Sequence, residues 1–146
     1  MSQDFYLGNP NLKKVGTDIN FTQDQVQEYL KCKEDPVYFA MNYIKIISLD
    51  EGIVPFKMWD FQQELIESFH EHRFNIAKLP RQTGKSTTCV SYLLHYILFN
   101  DNVNVGILAN KLSTARDLLS RLQLAYEQLP LWIQQGIVVY NKGSME

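Results

Sequence analysis

At 146 residues, with 45% hydrophobic and 21% charged residues, the chain has the composition of one globular domain with a real core, which excludes disordered and fibrous architectures. Its 14 Lys plus Arg stand against 16 Asp plus Glu, a net charge of −2, so it lacks the basic excess of a protein that grips nucleic acid or anionic lipid along its whole surface. No run approaches the roughly 18 apolar residues needed to span a bilayer, and residues 1–10 carry neither a basic nor an apolar leader region, so a soluble, non-secreted chain is expected.

Residues 1–20 mix Gly8, Asn9, Pro10, Asn11, Gly16 and Asn20 with scattered apolar residues in no helical or strand period, which predicts an extended arm. Thr22 followed three residues later by Gln25 is a capping box and opens a helix to about residue 31. Asp35-Pro36 is an N-cap with a first-turn proline and opens another over 37–47; residues 48–55 read as a connection. Phe61, Leu65, Ile66 and Phe69 form a stripe at helical spacing, giving a helix over 60–72. Residues 74–79 are apolar but too few for a helix, and read as a strand. A long helix follows to residue 99, then 103–109 as a strand buried on both faces. Ser113 or Thr114 caps a helix to about 128, and 137–140 is a last strand before the turn residues Asn141, Lys142 and Gly143. Strands alternating with helices predict an α/β fold with a mainly parallel sheet and flanking helices, preceded by short N-terminal helices. Cys32 and Cys89 lack the paired spacing of a zinc site and read as buried free thiols in a reducing compartment.

The chemistry concentrates between the first two expected strands. Leu79-Pro80-Arg81-Gln82-Thr83-Gly84-Lys85-Ser86-Thr87 ends in Gly-Lys-Ser, the terminal half of a phosphate-binding loop (P-loop, Walker A), set between an apolar run and a long helix. Gly84 lets backbone N–H groups approach phosphates, Lys85 neutralises β and γ oxygens, Ser86 offers a hydroxyl to Mg²⁺, and the helix start adds its dipole. The site expected is one for ATP with Mg²⁺. Leu79 stands where the usual motif has its first glycine.

Leu79 in that place, with Arg81 inside the loop, is similar to the variant P-loop of phage large terminases, the ATP-driven motors that pump DNA into capsids. Phe61-Gln62, about two dozen residues before Lys85, resembles their adenine-contacting pair. Asp35-Pro36-Val37-Tyr38-Phe39-Ala40, Val105-Gly106-Ile107-Leu108-Ala109-Asn110-Lys111, and the stretch from Leu129-Pro130 to Asn141-Lys142-Gly143-Ser144 look like the myovirus branch, so the resemblance covers about 35–146. It implies a RecA/helicase-like P-loop NTPase fold over 21–146, ending before the Walker B strand. It implies Gln62 as adenine reader with Phe61 walling the base, Arg81 as a cis-acting arginine finger or γ-phosphate sensor, Lys85 on the phosphates and Ser86 on the metal. Gln82, Thr83, Gly84 and Thr87 complete the nucleotide-binding set. The partners implied are double-stranded DNA, a portal protein and a small terminase subunit, with a ring-shaped homo-oligomer on the portal in the host cytoplasm and no membrane. Pro80 and Thr83 depart from the family pattern, which usually has a small polar and an apolar residue there.

Other readings stay open on the residues themselves. Gln62 also reads as a solvated helix residue, and Arg81 as a loop cation paired with a carboxylate. A helicase-like translocating ATPase uses the same glutamine and P-loop, and a catalytically silent nucleotide-binding or docking module is a third class. His70-Glu71-His72 is no metal motif, because neighbours on a helix point to different sides, and His95 reads as a packed core histidine. Neither later strand ends in the Asp-Glu that places magnesium and water in such motors, so no turnover is expected of these residues alone.

Overall fold

The computed structural model describes residues 4–48 and 50–146; positions 1–3 of the expected arm and Leu49 of the expected connection lie outside the described residues. Helix α1 (Gln23–Glu34) opens with the expected capping box: Gln25 N–H donates to Thr22 Oγ1 at 3.3 Å and Thr22 N–H donates to Gln25 Oε1 at 3.0 Å. It stops where Asp35, forced out of the helical region by the following proline, turns extended and accepts from Tyr38 N–H at 2.9 Å to start α2 (Pro36–Tyr43). The Glu28 carboxylate ties the two helices, accepting from Tyr38 Oη at 2.7 Å and Tyr43 Oη at 2.9 Å.

Helix α2 ends four residues sooner than its apolar pattern suggested. The β-branched pair Ile46-Ile47 leaves the helix and builds β1 (Lys45–Ser48), which pairs antiparallel with β2 (Gly52–Pro55) in the register Ile46 to Val54 and Ile47 to Ile53. Gly52, at φ +74°, supplies the left-handed residue the reversal needs. Three helices follow: α3 (Asp60–Glu71), α4 (Lys85–Phe99) and α5 (Leu112–Glu127). Helix α4 is central, packing on α2, α3 and α5 and placing Val90, Leu94, Leu98 and Phe99 in a core with Phe39, Ile66, Leu122, Tyr126 and Ile133. Among the described residues no helix is long and apolar enough to cross a membrane.

The expected mainly parallel α/β sheet of a P-loop NTPase is not what the chain forms. The described residues are mostly helical, and their sheet is the two-stranded antiparallel hairpin β1–β2. Among the described residues, 74–79 and 103–109 make no backbone–backbone hydrogen bond, and 137–140 forms only isolated bridges, Ile137 to Lys14 and Tyr140 to Met145. The physical reason is that an apolar run becomes a strand only when a second backbone satisfies its N–H and C=O groups, and neither of the first two runs finds such a partner among the described residues. Residues 103–109 nevertheless keep a period of two: Val103, Val105 and Ile107 are half-buried, while Asn104, Gly106 and Leu108 are exposed. Residues 74–79 are held near their two ends, where Ser68 Oγ donates to Asn75 Oδ1, Asn75 Nδ2 donates to His72 O and Leu79 O accepts from Lys85 Nζ; Phe74 and Ile76 stand in solvent.

The N-terminal residues fold back onto the C-terminal end. Leu12 enters the core, Val15 N–H donates to Ile137 O and Ile137 N–H donates to Lys13 O. Only glycine fits at position 136, since a Cβ there would lie 2.4 Å from the Val15 Cα. The Gln134 amide, 2% exposed, sits at the centre of this seam.

His95 is buried as expected, ringed by Phe39, Tyr92, Phe99 and His70, with Nε2 donating to Cys32 O at 2.8 Å. Nδ1 has no partner among the described residues, and burial holds the imidazole below its ordinary pKa, with His70 adding to the effect and Asp35 opposing it. A folded-state pKa below the unfolded value means that the unfolded chain binds the proton first, so stability falls as pH drops below about 6.5. Urea unfolding at pH 7.5 and 5.5 is expected to show a larger loss in the wild type than in His95→Phe; equal losses would remove His95 as the cause.

Candidate phosphate-binding loop

Residues 79–87 connect the exposed 74–79 run to α4, and their geometry follows from two left-handed residues. Gly84 is the N-cap of α4 at φ +71°, and Gln82 lies at φ +63°. A left-handed residue between right-handed ones turns successive N–H groups toward one side, the concave arrangement that receives anions. Among the described residues the backbone N–H groups of 82–87 have no acceptor: the first intrahelical bond of α4 is Thr88 N–H to Gly84 O at 3.0 Å, and no side chain caps the helix. These donors, the helix dipole and the Lys85 ammonium bring positive charge to one side of the loop, an arrangement that can receive an anion.

Lys85 Nζ donates to Pro80 O at 3.1 Å and to Leu79 O at 3.4 Å, so the ammonium lies over the loop. Thr83 Oγ1 also donates to Pro80 O, at 3.1 Å. The two positions that depart from the terminase pattern, Pro80 and Thr83, are therefore bonded to each other. Ser86 and Thr87 fill the first turn of α4, half-buried, while Thr88 is fully buried with its hydroxyl on Gly84 O at 3.2 Å. Arg81 is exposed, with no carboxylate partner among the described residues.

The glutamine 21 residues away is brought directly to the loop. Gln62 Nε2 donates to Thr83 O at 3.2 Å, and a Cβ at position 84 would stand 2.6 Å from that same nitrogen. Glycine at 84 is thus needed twice, for its φ and for the approach of Gln62. Gln62 is buried, and its Oε1 accepts from Trp59 N–H at 3.0 Å, half of a capping box at the start of α3; an indole has no acceptor to complete the other half. One amide hydrogen and one acceptor lone pair of Gln62 remain uncommitted. Phe61 is half-buried beside Trp59, ring centroids 5.7 Å apart.

Sequence reasoning missed Trp59. A tryptophan directly before the first helical residue, where Ser, Thr, Asp or Asn is the usual cap, was the available signal. The loop therefore gathers Gln62, Thr83, Gly84 and Lys85, with Phe61 at its edge and Arg81 pointing to solvent unbound. No model of a known protein family matches the chain.

Proposed function

We propose that this chain is the ATP-binding part of a DNA-packaging motor of the phage large-terminase kind. The observation that supports the reading most is the row of uncommitted N–H groups at 82–87, opening α4 beneath Lys85 and fastened to Gln62. Lys85 neutralises the β and γ phosphates, the Ser86 hydroxyl holds Mg²⁺, the amides of Gln82, Thr83, Gly84 and Thr87 receive phosphate oxygens, and Arg81, free in solvent, reaches the terminal phosphate. Magnesium supplies charge neutralisation between the phosphates. Double-stranded DNA, a portal protein, a small subunit and a ring of copies in the host cytoplasm belong to the whole motor.

Gln62 reads adenine through its remaining donor and acceptor, which a base edge with one N–H₂ and one ring nitrogen matches. Titration calorimetry of Gln62→Ala is expected to show a larger loss for Mg-ATP than for Mg-GTP, with a differential of about tenfold, the value of one to two hydrogen bonds. An equal loss for both nucleotides leaves Gln62 as a tie between α3 and the loop and removes the adenine reading.

A further inference from the structure

We infer that the indole of Trp59 is the stacking platform for the nucleotide base, an inference that rests on the phosphate loop proposed above. Trp59 is 60% exposed, in a chain whose other tryptophan, Trp132, packs edge-on against Tyr43. Leaving so large an apolar face in water is unfavourable, and the burial of a ligand ring against it recovers that area. Its place is fixed from two sides. The Trp59 backbone N–H is bonded to Gln62 Oε1 at 3.0 Å, and that same amide is bonded to Thr83 O, so two hydrogen bonds connect the tryptophan to the loop. Phe61 leans on one side of the ring at 40°, setting its tilt and leaving stacking area free.

The division of labour follows from burial. Gln62 is covered and offers only edge groups, so it cannot take the flat face of a base; Phe61 is half-buried against its neighbour. An exposed indole provides that face, and because every base has a π-face the stacking adds affinity without choosing adenine. Selectivity stays with Gln62, and affinity for the base is shared with Trp59.

The test compares Mg-ATP with Mg-tripolyphosphate, which has the phosphates and no base, on the full chain by calorimetry. Trp59→Ala is expected to weaken Mg-ATP by about tenfold and leave Mg-tripolyphosphate unchanged, the loss typical of removing one base-stacking aromatic. Trp59→Phe is expected to restore most of the affinity. In a Trp132→Phe background the remaining indole fluorescence should change with Mg-ATP and stay constant with Mg-tripolyphosphate. Unchanged Mg-ATP affinity in Trp59→Ala, with tripolyphosphate binding still lost in Lys85→Ala, overturns the stacking role and leaves the phosphate loop standing. Failure of the wild type to bind either ligand overturns the loop itself and the stacking role with it.

Discussion

Gln134→Leu is expected to destabilise the chain by about 4 kcal/mol and lower its thermal midpoint by roughly 10 °C, the largest stability effect of any single substitution proposed for it. The amide is 2% exposed, and every polar atom of it is used. Nε2 donates to Asn11 O at 2.9 Å and Leu129 O at 3.0 Å, with Tyr126 O at 3.3 Å, and Oε1 accepts from Lys13 N–H at 3.0 Å. Leucine fills a similar volume and supplies none of these bonds, so backbone groups on two segments, 11–13 and 126–129, lose a partner at once, each at about 1–3 kcal/mol. The loss also loosens the N-terminal residues, whose other attachments include Leu12 in the core, Lys13 Nζ on Gln134 O, the Tyr6 ring beside Tyr140 and the bridge to Ile137. Chemical denaturation should show the drop in midpoint, and hydrogen exchange should show residues 11–15 losing protection first. A shift under about 1 kcal/mol would mean that the arm is held by its other attachments and not by the Gln134 amide.

Lys85→Ala is expected to lower Mg-ATP affinity by about tenfold to a hundredfold, the value of one charge-assisted contact of roughly 1.5–3 kcal/mol. The neutral carbonyls of Leu79 and Pro80 that now hold the ammonium are weaker partners than a phosphate oxygen, so a polyphosphate draws Nζ away from them. The same substitution removes two ties within the loop, which makes a control necessary. Lys111→Ala, at the exposed start of α5, changes net charge equally and is expected to leave affinity within about twofold at physiological salt, where distant surface charges are screened. Equal affinities of wild type and Lys85→Ala, measured by calorimetry, would refute the site.

Helices were legible in the sequence because their signals are local. The Thr22/Gln25 box, Asp35-Pro36, and the Phe61–Ile66 stripe each act within a turn or two, and α1, α2 and α3 begin where those signals stand. The sheet was not legible, because strands depend on partners that no window of sequence contains. Val103, Val105 and Ile107 have the composition and the alternation of a strand, yet among the described residues no backbone hydrogen-bonds to theirs; Ile46-Ile47 looked like the end of a helix and found Ile53-Val54 across a reversal at Gly52. At the site the loop was readable from Gly84-Lys85-Ser86, and Gln62 from its spacing. What spacing could not show is that the Gln62 amide binds the loop itself, or that Trp59 is fastened to it, since both depend on how α3 lies against α4. The unpaired runs carry a consequence of their own: Phe74, Ile76 and Leu108 are exposed on backbones with open hydrogen-bonding groups, the arrangement through which extended segments self-associate.

Nucleotide binding at 82–87 can be read residue by residue by amide NMR of uniformly ¹⁵N-labelled chain during titration with Mg-ATP. The N–H groups of 82–87 point at no acceptor of the described chain, so phosphate oxygens arriving there should move those resonances downfield together, with Lys85→Ala weakening the titration and Mg-tripolyphosphate reproducing it. Shifts confined to 82–87 and to the neighbouring Gln62 and Trp59 are expected. Saturating Mg-ATP that leaves 82–87 unmoved, or that moves only residues elsewhere in the chain, would contradict it.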